Sequence, residues 1–456
     1  MSFLSDELLK GTDWRWLERS VARLMSHCGW RHVMPIGRTG DKGADILAVR
    51  HTKGAAAPRQ WVVQVKAVTG GSYIGVNAIA EAMSALSLYG AQCAAVATNG
   101  DFTRSAHARR DELAKAGYDL RLWNGHFLRE VLSQWPEEHP ERRELRPYQS
   151  NLLNDILFRM QAGTSRAHFV MATGLGKTVV AAEVIRHLFD KSCATALVLC
   201  HSQDLALQLE RAFWPHLKAS ESTSVFLDGT PPQRPRGVTF GLYQTMVGYL
   251  PSMEPRQYDI IIIDEAHHAL AAGFLACINH MNPKLLLGMT ATPWRGDGDS
   301  IDRVFGAPLA RVSLVDGMAM GYLAEVDYRI LCDNIDWPQI PQLSSKKLSI
   351  RDLNKRLFLP QRDDAVIQEI TQAAAETQQS KMLVYSPSVS HAGHFANLLS
   401  AAGIPARSVS GIDRLARQRG VGSGLFAVNR SLRRGTERAF RADSPHPRRR
   451  SARAVG

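Results

Sequence analysis

Apolar positions change their spacing several times along this chain, and each change marks an element. Trp16, Leu17, Val21, Leu24 and Met25 recur at helical spacing and predict a helix over 14–28. Short apolar runs at 44–49 and 61–67 read as two strands, joined by a loop-like HTKGAAAPRQ segment. A helix over 76–88, a buried strand over 93–98, a helix over 105–116, a strand over 120–123 and a helix over 126–132 complete a small α/β domain. The stretch 134–145 is polar, charged and carries two prolines, the composition of a linker.

From Arg146 a second pattern begins. The runs 169–171, 196–200, 238–241, 260–263 and 285–289 are almost continuously apolar, which suits a parallel sheet covered on both faces. Residues 313–375 are mixed and read as a connector. A buried strand at 381–385 and a helix through Leu399 follow, and apolar periodicity fails after Gly420. The expected layout is a domain over 1–135, a linker over 136–145, a parallel-sheet lobe over 146–312 and a connector over 313–375. A partial lobe over 376–419 and an Arg-rich tail without order over 420–456 complete it.

Composition narrows the class. A chain of 456 residues with 45% hydrophobic positions has material for about three buried cores. It contains no apolar run of about 18 residues and no signal-like N-terminus. Six scattered cysteines lack any CxxC pair, the usage expected of reduced thiols in the cytoplasm. The net charge of +12 is lopsided, since 412–456 hold twelve Arg, no Lys and three acids. The high pI therefore reports the tail rather than a basic folded surface.

Chemistry enters at Thr173-Gly174-Leu175-Gly176-Lys177-Thr178, between a strand and an apolar helix. Glycines let backbone N–H groups approach phosphates, and the helix N-terminus adds partial positive charge. Lys177 would reach the β- and γ-phosphates, and Thr178 would hold Mg²⁺. The run 260–263 ends in Asp264-Glu265-Ala266-His267. A carboxylate pair at the end of a buried strand is costly unless it serves a cation or a reaction. Asp264 would bind Mg²⁺, and Glu265 would position and deprotonate the attacking water.

These motifs resemble superfamily 2 DEAD/DEAH-type helicases and the motor subunits of restriction enzymes, over about 170 residues. The resemblance makes Arg146-Pro147-Tyr148-Gln149 the adenine-reading segment, with Gln149 as reader. It makes 197–208 and 241–246 the strand-end segments that touch a nucleic-acid backbone. It makes 288–293 the segment coupling the ATP site to DNA, through Thr290 and Thr292. His267 would link the ATP site to that segment, whereas His268 has a surface or packing role. ATP and Mg²⁺ are the implied cofactors and double-stranded DNA the implied partner.

Motors of this type use two RecA-like lobes. Residues 381–386 and the next helix resemble the start of the second lobe, and Val409-Ser410-Gly411 with Arg414 and Arg417 resembles its next step. The family's following Gly/Asp strand and its Gln-x-x-Gly-Arg-x-x-Arg motif are missing over 420–456. The reading preferred here is a chain truncated or shifted out of frame near Arg419, with poor order after about Ala375 and little ATP turnover. The alternative for the tail is a basic nucleic-acid arm.

The N-terminal domain carries its own constellation. Gly40-Asp41-Lys42-Gly43-Ala44-Asp45 precedes one strand, and Gln64-Val65-Lys66 lies on the next. Period-two alternation puts Gln64 and Lys66 on one face, and a hairpin brings Asp45 beside them. A carboxylate, a second ligand and a lysine are what metal-dependent phosphodiester hydrolysis needs. The pattern resembles PD-(D/E)xK nucleases, specifically Mrr-like restriction endonucleases, over nearly all of 10–135. The resemblance makes Asp45 the metal ligand, Gln64 the second position and Lys66 the catalytic lysine. Glu18, on the first helix, is a further candidate ligand.

The expected fold class is α/β: a PD-(D/E)xK nuclease-like domain, a RecA-like parallel-sheet ATPase lobe and an incomplete second RecA-like lobe. The expected function is an ATP-dependent DNA helicase or translocase fused to a Mg²⁺-dependent endonuclease, acting in restriction or DNA defence, with no membrane partner and with room for an oligomer or partner subunits. The rivals are a non-cleaving DNA-binding module tethered to a motor, and an inactive fragment of a disrupted gene.

Overall fold

The structure is a computed structural model that describes residues 3–5, 9–11, 13–36, 43–51, 57–69, 72–191, 193–227, 236–292, 300–329, 360–377, 382–386, 388–409, 425–429 and 452–455. The chain falls into two compact units, 1–317 and 318–456. Among the described residues no helix is long and apolar enough to cross a membrane.

The first part of unit one is a five-stranded sheet. Helix α1 (Trp14–His27) precedes strands β1 (Arg31–Pro35), β2 (Ile46–Arg50) and β3 (Arg59–Lys66). A short ribbon strand β4 (Tyr73–Ile74), helix α2 (Val76–Tyr89), β5 (Cys93–Thr98) and ribbon strand β6 (Asp101–Phe102) follow. Then come α3 (Arg104–Lys115), β7 (Asp119–Trp123) and α4 (Gly125–Ser133). The sheet order is β1-β2-β3-β5-β7. β1, β2 and β3 are antiparallel, whereas β5 and β7 continue parallel to β3. Asp13 caps α1 by accepting a hydrogen bond from the Trp16 amide.

The two faces of this sheet are covered by different helices, and β3 decides which residue meets which. Trp61, Val63 and Val65 share a core with Leu17, Val21 and Leu24 of α1. Val62, one residue out of phase, packs with Ala78, Ile79 and Ala82 of α2. Gln64 and Lys66 have the parity of Val62 and so belong to the α2 face.

The second part of unit one is a seven-stranded, wholly parallel sheet. Its elements run α5 (Pro147–Gln161), β8 (Arg166–Met171), α6 (Lys177–Phe189), β9 (Thr195–Cys200), α7 (Gln203–Phe213), β10 (Thr223–Phe226) and β11 (Gly237–Leu242). They continue with α8 (Tyr243–Tyr249), β12 (Ile260–Asp264), α9 (Ala272–Met281), β13 (Leu285–Thr290), α10 (Asp302–Phe305), β14 (Arg311–Val312) and α11 (Leu314–Ala319). The order β10-β11-β9-β12-β13-β8-β14 puts β12 at the centre. Ile260, Ile261, Ile262 and Ile263 are fully buried there, and each such side chain removed from water is worth about 1.5–3 kcal/mol.

The polar stretch between the two sheets is not a free tether. His139 is 3% exposed. Arg142 grips Glu183 of α6 with two hydrogen bonds (3.0 and 2.7 Å), and His216 reaches the same carboxylate at 2.8 Å. Glu138 pairs with Arg186 of α6. Burial pushes the Glu183 carboxyl up, but the hydrogen bonds from His216 and Arg142 more than reverse this and hold it at about 2. Arg23 of α1 donates to the Glu221 and Lys218 carbonyl oxygens (2.7 and 3.0 Å), and Arg19 pairs with Glu210 of α7 at 3.2 Å. Trp214 and Ala219 join the α1-side core directly. The 136–145 stretch is therefore held on the helix that begins at Lys177, and α1 of the N-terminal domain packs on the 210–221 segment.

Unit two holds β15 (Val326–Arg329), α12 (Pro360–Thr377), β16 (Leu383–Ser386), α13 (Val389–Ala401), β17 (Ala406–Val409), β18 (Leu425–Asn429) and β19 (Ala452–Val455). β18 lies between β16 and β17 in a parallel sheet, and β15 pairs with β19. Ile370, Phe395 and Leu399 form a small core. β16, α13, β17 and β18 fall in the stretch after Ala375 for which poor order is expected, and β18 lies beyond Gly420. The short apolar run at 425–428 supplies the strand that β16 and β17 need on their inner edges. Gly411, Arg414, Arg417 and Arg419 lie outside the described residues.

Candidate functional site

Asp45 immediately precedes β2, where its amide donates to the Val63 carbonyl oxygen at 2.8 Å. That ladder contact brings the Asp45 side chain against β3. Asp45 Oδ2 accepts from Gln64 Nε2 at 2.7 Å and from the Val65 amide at 2.6 Å. Both side chains are 5% exposed. The amide orientation that makes this bond leaves Gln64 Oε1 buried without a hydrogen-bond partner. A buried carbonyl oxygen without a partner is a free-energy liability unless a cation or donor completes it. A carboxylate and an orphaned carbonyl oxygen, both hard oxygen donors, fit a divalent cation. Among the described residues no group of three His, Cys, Asp or Glu side chains is placed to hold a metal ion.

Lys66 lies two residues further along the same face. Its Nζ is 2.6 Å from Oε2 of Glu81 on α2. Sequence reasoning missed Glu81, because a glutamate on a half-exposed helix face carries no signal of its own. Glu18 is buried on α1, the helix covering the opposite face of the sheet, and takes no part in the bonds joining Asp45, Gln64 and Val65. Gly40, Asp41 and Lys42 lie outside the described residues.

The second constellation sits at the carboxyl ends of the parallel strands, where open α/β sheets bind ligands. The loop 172–176 links β8 to α6, with Gly174 and Gly176 in the left-handed region. At Gly176 (φ +88°) the dihedral favours glycine, and an added Cβ would lie 2.4 Å from Gln149 Nε2 and displace that amide. Leu175 lends its carbonyl oxygen to Tyr148 Oη at 2.6 Å and to Gln149 Nε2 at 2.8 Å. Gln149 Oε1 accepts from the Arg146 amide. Gln149 thus braces the loop, and an adenine contact would use its second amide hydrogen or the second lone pair of Oε1. Lys177 Nζ donates to the Met171 carbonyl oxygen at 3.0 Å, and Thr178 follows in the first turn of α6.

Asp264 closes β12 and is 8% exposed. Glu265 adopts φ +54°, a left-handed conformation that costs a non-glycine residue about 1–3 kcal/mol and turns the chain sharply at the strand end. Nδ1 of His267 lies 3.3 Å from Glu265 Oε2 and 3.1 Å from Thr290 Oγ1. Thr290 Oγ1 in turn donates to the Thr292 carbonyl oxygen. His267 therefore bridges the carboxylate pair and the 288–292 segment, and Pro293 lies outside the described residues. Cys200, at the end of β9, has its thiol pushed up to about 12 by burial and by the Asp264 charge, so it stays protonated. Gln244 Nε2 donates to the His201 carbonyl oxygen at 3.4 Å, and the rings of His201 and His268 lie 5.3 Å apart. The segments 197–208, 241–246 and 264–268 thus meet at the carboxyl ends of neighbouring strands, which gives His268 a packing partner.

Comparisons with known proteins match both parts of unit one to family models. Residues 142–295 match the family model described as type III restriction enzyme, res subunit, and residues 9–132 match a model described as restriction endonuclease, of the Mrr catalytic type. The type I restriction enzyme EcoAI endonuclease subunit of Escherichia coli is 25% identical over 298 residues, 59% of this chain and 36% of that protein. A protein of Schizosaccharomyces pombe, named as a candidate mitochondrial ATP-dependent helicase, is 26% identical over 287 residues, 59% of this chain and 45% of that protein. The chain thus spans less than half the length of these two relatives. Among solved structures, a fragment of a candidate type I restriction HsdR subunit from Vibrio vulnificus YJ016 is 20% identical with a TM-score of 0.49, covering 86% of this chain and 74% of that one.

Proposed function

We propose, from the premise that this chain joins an Mrr-like restriction endonuclease domain to a superfamily 2 helicase domain of the restriction-enzyme kind, that it cleaves DNA at the Asp45–Gln64–Lys66 site and binds ATP at the Lys177 loop. The observation that carries this reading is the buried Asp45–Gln64 pair with its orphaned carbonyl oxygen, on the face of β3 that also presents Lys66. Asp45 and Gln64 Oε1 would hold the divalent cation, Mg²⁺ in this reading. A bound divalent cation supplies Lewis-acid polarisation and a water of lowered pKa. Lys66 contributes an ammonium that stabilises negative charge developing on the scissile phosphate.

At the second site Lys177 would exchange the Met171 carbonyl oxygen for the β- and γ-phosphates. Thr178 and Asp264 would hold the accompanying Mg²⁺, and Glu265 would orient and deprotonate the attacking water. His267 carries the state of Glu265 to Thr290 and Thr292. Double-stranded DNA is the substrate class of both halves, restriction or DNA defence is the setting, and further subunits complete the assembly.

Calorimetry of ATP with Mg²⁺ tests the second site: the unaltered chain binds, and Lys177→Ala does not. Equal binding by both would refute the loop assignment. Nicking of supercoiled plasmid tests the first: Lys66→Ala folds normally and does not nick. Cleavage by Lys66→Ala at the unaltered rate would remove Lys66 from the chemistry.

A further inference from the structure

Lys66 does not stand free at the end of β3. Its ammonium meets the Glu81 carboxylate at 2.6 Å, from the second turn of α2. The pair is about one-third to one-half exposed, and an ion pair this open adds little to stability. Its geometry nonetheless ties it to the cleavage site in two independent ways. First, the Glu81 backbone is held against the segment that carries Asp45. Gly43, at φ +85°, comes so close that a Cβ there would lie 2.2 Å from the Glu81 carbonyl oxygen. Helix and segment are thus in contact two residues before the candidate ligand. Second, the site is one negative charge short of a paired-carboxylate arrangement, because Gln64 is neutral. Glu81 restores a carboxylate on the same side of the sheet, where α2 packs over Val62.

We propose that Glu81 is the positioning residue for Lys66. Its carboxylate fixes the end of a four-carbon side chain that would otherwise sample many rotamers, and keeps the ammonium on the face of β3 that bears Gln64. Asp45 and Gln64 touch the cation, Lys66 touches the phosphate, and Glu81 acts only through Lys66. This assignment rests on the reading of Asp45, Gln64 and Lys66 as a cleavage site.

The test uses the full chain with two substitutions, Glu81→Gln and Glu81→Asp, and two readouts. In single-turnover nicking with Mg²⁺, Glu81→Gln lowers the maximal rate by about 10- to 100-fold, the scale of a misplaced catalytic group, while the DNA concentration for half-maximal rate is unchanged. Glu81→Asp recovers part of the rate. The second readout is labelling of Lys66 by an amine-reactive ester, mapped by peptide mass, which is several-fold faster in Glu81→Gln than in the unaltered chain. A wild-type nicking rate in Glu81→Gln, or unchanged labelling of Lys66, overturns the assignment. Failure of the underlying reading looks different: Asp45→Ala then nicks as well as the unaltered chain, or neither nicks. In that case the labelling comparison alone decides whether Glu81 holds Lys66.

Discussion

Lowering the pH from 7.5 to 5.0 should loosen the seam between the two domains of unit one, and His139 sets the size of the effect. Its Nδ1 accepts a hydrogen bond from the Glu141 amide at 3.0 Å, so the ring is neutral and Nε2, 3.1 Å from Ser26 Oγ, carries the proton. The ring lies 5.3 Å from that of His27. Burial, followed by the charges of His27, Arg23 and His216, pulls the His139 pKa down to about 3. An unfolded histidine titrates near about 6.5. Because the folded form resists protonation, the stabilisation is complete above about 6.5 and is lost as the pH falls toward 3. At pH 5.0 the lost portion is about 1.5 units, or about 2 kcal/mol. His27, lowered chiefly by burial, adds in the same direction. Glu183 does not contribute in this range, because its stabilisation is lost only below about 4.5. Hydrogen exchange of the full chain, read on peptides covering 134–146 and corrected for intrinsic rates, should accelerate by about 30-fold between the two pH values. His139→Asn keeps a short acceptor without a titratable ring and should flatten most of that dependence. Protection that is the same at both pH values, or a wild-type slope in His139→Asn, would refute the reasoning.

Other predictions follow from the same contacts. Arg23→Ala leaves the Glu221 and Lys218 carbonyl oxygens without their donor and should cost about 3 kcal/mol, seen as a lower thermal midpoint and faster proteolysis near 134–146. Glu183→Gln should cost about 2–3 kcal/mol at neutral pH, and the penalty should shrink as the pH falls from 4.5 toward 2, where the native carboxyl is itself protonated. Melting curves across that range check the sign. Gly176→Ala forces a Cβ into Gln149 and into an unfavourable dihedral, and should abolish ATP binding in calorimetry while the circular dichroism spectrum is unchanged.

Much of this molecule was legible in the order of its residues because its buried strands are uninterrupted. β12 and β13 announce themselves as Ile260–Asp264 and Leu285–Thr290, and the motifs at their ends inherit a known place in a parallel sheet. Edge strands were harder. β1 has the exposed and half-buried sequence RHVMP and β10 is only four residues long, so neither has a periodicity to read. β18 was hidden for a related reason, since four apolar residues inside an Arg-rich stretch look like noise until β16 and β17 flank them.

The candidate sites divide along similar lines. Asp45, Gln64 and Lys66 follow from strand alternation, and His267 from its place after the carboxylate pair. Glu18 was placed by its type and its helix, and only the sheet faces show that α1 covers the side opposite Gln64. Glu81 becomes visible only when α2 is laid over β3. The seam at 136–145 was the least readable feature. Arg142, Glu183, Arg186 and His216 are polar residues whose burial depends on finding one another, and composition records polarity without partners.

The central claim is a divalent-cation nuclease site built on Asp45, and plasmid nicking tests it most directly. The full chain, incubated with supercoiled DNA and Mg²⁺, should convert it to open circle or linear product, and chelation by EDTA or the substitution Asp45→Ala should stop the conversion while the protein remains folded. Cleavage that persists in Asp45→Ala, or that proceeds unchanged in EDTA, would contradict the account.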